Sequence, residues 1–462
     1  MFSVLLFFLN RTKTVFLASE IHSMSPFFVK AIQLFLSLSI LIVLHELGHF
    51  IPAKLFKTRV EKFYLFFDVK FSLFKKKIGE TVYGIGWLPL GGYVKIAGMI
   101  DESMDTEQMK QPPQPWEFRS KPAWQRLIIM LGGVTVNLVL GFLIYMMIVF
   151  VWGKNVVTQN DLPAGFAVSE IIEPYGFQDG DQILEVDGAP LENVLDINRF
   201  LFLRDIQQIR VRHQDGLTET LSVPSSLGNQ MFEQGVMTPF SPLIKYIVDS
   251  VGVGSPAEKA GLLVGDQIVR ANGLPLSPNT QLKDIVQASE ENQVSLEVFR
   301  GNESVTIISD LNAQKMIGIG FDPTTLKVQH LKYSFLESIS KGFEMGYWTL
   351  HDYVAQFSYV FTKKGATQMG GFGAIGNLFP ATWNWQAFWA NTALISIILA
   401  FMNVLPIPAL DGGHVMFLMY EIITGRKPND KFMEYAQMLG FFLLIALVLF
   451  ANGNDIYRAI FG

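Results

Sequence analysis

Long, nearly uncharged apolar runs dominate the pattern of hydrophobic and polar positions along the chain. Phe27 to His49 and Leu127 to Val151 are continuous, and Phe441 to Ala451 becomes long enough when extended back to about Phe432. A helix needs about 20 apolar residues to cross the hydrocarbon of a bilayer, so these runs predict membrane spans. A fourth run, Phe388 to Tyr420, is interrupted by Asn403, Pro406, Pro408 and Asp411. Broken backbone and charge survive at membrane depth only where protein buries them or where they line a cavity. The interrupted run is therefore the first place to look for chemistry.

Between the second and third spans the pattern shortens to alternating strands and turns, and it repeats. One segment reads Gly176-Phe177-Gln178-Asp179-Gly180-Asp181-Gln182-Ile183 and ends on Asp187-Gly188; another reads Gly265-Asp266-Gln267-Ile268 and ends on Asn272-Gly273. Each has a short strand followed by a two-residue turn pair that tolerates positive φ. From Tyr333 to Thr362 the apolar residues Phe335, Ile339, Phe343, Tyr347, Leu350 and Val354 recur at helical spacing, with Lys341, Glu344 and Asp352 between them. This predicts an amphipathic surface helix, with packing against the repeated modules as the competing reading. The β-formers and glycines of Glu80 to Lys95 predict hairpin strands.

Composition agrees with a membrane protein: of 462 residues half are apolar and 17% charged, and the net charge of −5 suggests no nucleic-acid partner. Cysteine is absent, so a metal would have to be held by His, Asp or Glu. The loop after the first span carries thirteen basic residues from Lys54 to Arg126, and Arg426, Lys427 and Lys431 precede the last span. Basic loops stay cytoplasmic, which puts both termini and the stretch from Gly153 to about Trp385 outside. Residues 1–24 read as an N-terminal extension, since Arg11 and Lys13 follow the apolar Val4 to Leu9, the wrong order for a secretory signal.

The first span ends in His45-Glu46-Leu47-Gly48-His49. On a helix, positions i and i+4 share a face, so His45 and His49 can grip one zinc ion while Glu46 takes a proton from its water. Zinc lowers the pKa of that water to about 7. An accidental cluster is disfavoured, because three such side chains at the end of a span are costly without a use. A catalytic zinc needs a third protein ligand, and Asp411 is the only acid in the interrupted run. The alternative for Asp411 is a helix N-cap with no metal role. Asn403 is a two-sided amide suited to clamping a substrate backbone, or a plain structural amide. Gly133 and Asn137 in the second span read as helix-packing residues, and His414 as a packed histidine.

His45-Glu46-Leu47-Gly48-His49 together with Asn403-Val404-Leu405-Pro406-Ile407-Pro408-Ala409-Leu410-Asp411-Gly412 resembles the site-2 protease family of intramembrane metalloproteases. Pro89-Leu90-Gly91-Gly92-Tyr93-Val94-Lys95 and the outer modules narrow it to the bacterial members of the sigma-E stress response. The resemblance covers essentially everything after Met24. It implies a polytopic α-helical membrane protein of four transmembrane helices, with a membrane-reentrant β-hairpin and two extracytoplasmic PDZ domains. The divisions expected are a first span over 25–57, a cytoplasmic loop over 58–121, a second span over 122–152, and PDZ domains over 153–240 and 241–325. A connector over 326–385, a third span over 386–425 and a last over 426–462 follow.

The resemblance further implies His45, His49 and Asp411 as Zn2+ ligands and Glu46 as the catalytic residue. It puts Asn403, Tyr93, Gly91 and Gly92 beside the substrate, and the Gly133 and Asn137 motif near the active site, although packing stays the default reading of that pair. The substrates implied are single-span proteins of the bacterial inner membrane, anti-sigma factors after a first cut or remnant signal peptides, hydrolysed within the bilayer by Glu-assisted attack of zinc-bound water. An unwound substrate helix needs partners for its backbone groups, which an edge strand can supply. The outer PDZ pair, on the periplasmic side, would act as a size filter or as a binder of a new C-terminus. Two other readings compete: a silent zinc-binding PDZ scaffold, against which a retained Glu46 argues, and a zinc transporter, which would carry acids on several spans.

Overall fold

The computed structural model describes residues 25–461 except 90, 100–110, 244, 277–281, 290, 302, 313–314 and 322–325. The extension expected over 1–24 lies outside the described residues. The chain divides into one unit of residues up to Trp152 plus Lys332 onward, and a second of Gly153–Leu331.

In the first unit, helix α1 (Pro26–Leu55) opens on an extended Ser25 with Pro26 at its first position, where a missing N–H costs nothing. A four-stranded sheet follows, from β1 (Val60–Leu65), β2 (Phe67–Ile78), β3 (Thr81–Leu88) and β4 (Tyr93–Ile96), in the order β2-β3-β1-β4. The hairpin expected over Glu80 to Lys95 is corrected here. β3 pairs antiparallel with β2 across the Gly79 turn and parallel with β1, while β4 pairs with β1. Gly91 and Gly92 carry the chain away from β3, so the hairpin is β2–β3 and β4 is a separate edge strand.

Helix α2 (Ala123–Trp152) is apolar on every side, as a span must be. It crosses α1 where glycines face each other: a Cβ on Gly48 would overlap the Gly132 carbonyl, and one on Gly132 the Gly48 carbonyl. Backbones meet this closely only where side chains are absent.

In the second unit, one hydrophobic core gathers around Ile172, Ile183, Ile209 and Val211, and another around Val248, Ile268, Leu296 and Val298. The first core backs the sheet of β5 (Gln182–Val186), β6 (Gln208–Arg212) and β7 (Thr218–Ser222). The second backs β8 (Tyr246–Val251), β9 (Gln267–Ala271), β10 (Gln293–Arg300), β11 (Glu303–Asp310) and β12 (Ile319–Phe321), ordered β11-β10-β9-β8-β12. The sequence repeat is a structural one. Asp187 and Asn272 both have φ +49° and are followed by a positive-φ glycine. Asp181 and Asp266 are buried, each accepting the amide three residues before it, at 2.9 Å in both cases.

Back in the first unit, α3 (Phe335–Phe357) is started by a Ser334–Glu337 capping box. It packs on α2 through small residues: a Cβ at Gly342 would meet Met146, and one at Gly346 would meet Phe142. The amphipathic helix therefore has its partner on the second span. The short α4 (Phe372–Asn377) follows Gly370-Gly371, and the Gly371 and Ala374 amides donate to Asp455 at 2.9 and 3.0 Å.

The interrupted run becomes α5 (Trp385–Val404), a break at residues 405–410, and α6 (Asp411–Thr424). Asn384 caps α5 by accepting from Ala387, Pro406 and Pro408 end it, and Gly425 closes α6 in the left-handed region. The last helix is α7 (Asp430–Phe461). Among the described residues, four helices are long and apolar enough to cross a membrane: Pro26–Leu55, Ala123–Trp152, Trp385–Val404 and Lys431–Phe461. Buried hydroxyls link three of them, with Thr392 donating to Ser37 at 3.0 Å and Ser396 donating to the Asn137 carbonyl at 2.7 Å.

Candidate metal centre

His45 and His49 sit one turn apart near the C-terminal end of α1, and the break between α5 and α6 delivers Asp411 opposite them. The three facing atoms form a triangle. His45 Nε2 and His49 Nε2 are 3.2 Å apart, and each lies 3.4 Å from Asp411 Oδ2. A tetrahedral zinc with ligands at about 2.0–2.1 Å holds neighbouring ligand atoms about 3.3–3.4 Å apart. The triangle has that edge length. Asp411 Oδ2 is buried and accepts no hydrogen bond, an expense that a cation between the three atoms removes. The residues present fit zinc.

The N-cap alternative for Asp411 does not hold. Asp411 is the first residue of α6, and the capping position is Leu410, which has no side-chain acceptor.

Each histidine is fixed through its other ring nitrogen. His49 Nδ1 lies 2.8 Å from the Ile129 carbonyl, which can only accept, so the proton is on Nδ1 and Nε2 is left bare for the metal. His45 Nδ1 lies 3.1 Å from the Asn137 side-chain amide. The amide nitrogen is the atom placed against the ring; with the amide turned over, its buried oxygen would gain a partner in a proton on Nδ1 and leave Nε2 for zinc. Gly133 makes room for both rings, since a Cβ there would stand 2.6 Å from His45 Cε1 and would overlap His49 Nε2. Sequence reasoning read Gly133 and Asn137 as packing. Their signal was a small residue and an amide one turn apart in an otherwise apolar span.

Glu46 is buried beside the triangle. With His45, His49 and Asp411 it lines a cavity of about 650 Å³. Asn403, Gly91, Gly92 and Tyr93 line the same cavity, so the candidate metal, catalytic and substrate residues read from the sequence come together here. Tyr93 stacks between Tyr64 and Phe67, at ring separations of 5.4 and 5.9 Å, and its hydroxyl donates to Asp68 at 2.7 Å. Gly92 packs tightly on α1, where a Cβ would meet Ile42 at 2.5 Å and the Glu46 Cγ at 3.3 Å. His414, read as packed, also lines the cavity and bonds to Gln437 at 2.9 Å.

Two histidines and an aspartate converge on a cavity among helices long and apolar enough to span a membrane, with a glutamate at hand, and together they could hold a metal ion. The chain belongs to peptidase family M50, whose family model matches residues 33–447. It is 28% identical to the regulator of sigma E protease of Haemophilus influenzae, over 92% of this chain and 97% of that protein. It is 26% identical to the regulator of sigma-E protease RseP of Escherichia coli, over 91% of this chain and 97% of that one. A Neisseria meningitidis protein designated a candidate zinc metalloprotease is also 26% identical, over 91% and 97%. The protein is a zinc metalloprotease and a multi-pass protein of a bacterial inner membrane. The silent scaffold and the zinc transporter are not favoured.

Proposed function

We propose that the protein hydrolyses peptide bonds inside the membrane segments of single-span proteins, with His45, His49 and Asp411 holding zinc and Glu46 moving the proton. The observation that carries this reading is the triangle of ligand atoms, with a buried and unpartnered Asp411 Oδ2, opening on a cavity that Glu46 shares. Zinc, when bound, lowers the pKa of a water in its open position and polarises the carbonyl under attack.

The chain's own residues supply the rest. Glu46 accepts the attacking water's proton on its carboxylate and returns it to the leaving nitrogen. A substrate helix must unwind to expose a carbonyl, and β4, an edge strand on the cavity wall, suits pairing with the freed backbone. Asn403 can satisfy further substrate amides, and Tyr93, Gly91 and Gly92 shape the passage. We take the β2–β3 hairpin to dip into the membrane from the cytoplasmic side, given its exposed Phe71, Leu73, Phe74 and Trp87.

The two cores of Gly153–Leu331 are consistent with a PDZ pair on the periplasmic side acting as a size filter. Similarity to sigma-E regulators supports anti-sigma factors, after a first cut, as substrates, with remnant signal peptides as a second class. Glu46→Gln tests the mechanism: proteolysis should fall at least 100-fold while zinc content stays at that of the native protein. Substantial cleavage by the purified variant would remove Glu46 from the chemistry.

A further inference from the structure

The turn that carries Asp411 is held in a disfavoured backbone, and its support comes from the last helix. Ala409 has φ +76°, in the left-handed region that a residue with a Cβ seldom occupies. Such a conformation persists only where the surroundings over-determine it. Pro406 and Pro408 bring no N–H to the turn, so few donors are available to fix it. The Ala409 N–H is one of them, and it donates to Gln437 Oε1 on α7, at 2.5 Å.

Gln437 makes a second bond, with its Nε2 2.9 Å from His414 Nε2. An amide has one accepting end and one donating end, so the first bond fixes the sense of the second: Gln437 donates and His414 Nε2 accepts. Gln437 thus grips the chain on both sides of Asp411, two residues before it and three after. Gly440, one turn further along α7, allows the approach, because a Cβ there would overlap the Pro408 carbonyl. Gln437 and Asp411 also face the same cavity.

From this geometry we propose that Gln437 is a positioning residue for the metal centre, clamping the Ala409 turn so that the Asp411 carboxylate is set for zinc before zinc arrives. The proposal rests on the reading of Asp411 as a ligand. A glutamine that merely glued helices together would matter for the fold and leave metal affinity alone.

Gln437→Met separates these roles, since it keeps side-chain length and helix propensity while removing both hydrogen bonds. In the full-length protein in detergent, zinc affinity measured by competition with a chromophoric chelator should fall about 10-fold or more, with helical content unchanged. Ala409→Gly relieves the turn, so in that background the same change should cost about 3-fold or less. In an Asp411→Asn background it should cost nothing further. Zinc binding by Gln437→Met within about 2-fold of the native protein would overturn the proposal, and so would a loss undiminished in both backgrounds. If Gln437→Met alone does not fold, the Ala409→Gly/Gln437→Met protein decides: it should fold and bind zinc, and its failure to fold would make Gln437 a folding residue only. Failure of the ligand reading looks different, because Asp411→Asn by itself would then keep native zinc affinity.

Discussion

Gly133 shows how little room the metal centre leaves. The α carbon of Gly133 faces the rings of both histidine ligands, and a methyl group there would stand 2.8 Å from His45 Nδ1. Gly133→Ala should therefore turn both rings off the triangle and lower proteolysis about 100-fold, as a displacement near 1 Å at a reacting centre does. Zinc content and turnover of the purified variant check this, and native values for both would mean that α2 yields easily. The four central residues were legible in the sequence for local reasons. His45, Glu46 and His49 share one helix turn, and Asp411 was the only acid in a broken span. Gly133 and Asn137 were placed near the site only by the resemblance, and Gln437 was not legible at all, because their roles depend on which helices cross there. A glycine in a span signals close packing in general, and only the crossing at Gly48 and Gly132 turns it toward the ligands.

At the scale of elements, the two repeated modules solve one problem with different cations. The buried Asp266 is gripped by the Arg300 guanidinium through two bonds of 2.8 and 2.7 Å, and that hydrogen bonding holds its carboxyl below the usual range. The buried Asp181 is paired at 2.6 Å with His213 instead. Burial alone would lower the His213 pKa, but its bonds to Asp181 and Glu219 outweigh that and raise it above the ordinary 6.5. A histidine raised by folding contributes stability that is fully present below about pH 6.5 and lost as pH rises through its folded value. His213→Asn should accordingly destabilise the unit Gly153–Leu331 at pH 6 and matter less at pH 8.5, seen as a melting difference that shrinks with rising pH. A difference independent of pH would show that packing, and not charge, is what His213 supplies. The module repeat itself was legible because turn pairs such as Asp187-Gly188 announce their backbone. The pairing of β4 with β1 was not, since four residues beside two glycines carry no signal of which edge they will join.

Taken as a whole, the molecule keeps every group of the proposed chemistry in its first unit, and Gly153–Leu331 contributes none. If that outer unit filters by size, deleting residues 162–322 should leave hydrolysis intact and admit substrates with larger outer domains. Cleavage of one membrane segment fused to domains of graded size measures this, and an unchanged size cutoff in a folded deletion protein would refute the filter. Recruitment by the outer unit predicts instead that cleavage is lost and returns at high substrate concentration. The class of molecule was legible from the apolar runs, and among the described residues four helices of spanning length are found where they were expected. The most direct test of the central claim is to map the cut. The purified protein, reconstituted in vesicles with a single-span substrate, should give fragments whose new termini, read by mass spectrometry, fall within the membrane segment. Cleavage should stop when zinc is chelated and return when zinc is restored. Termini lying outside the membrane segment, or cleavage that persists without zinc, would contradict the account.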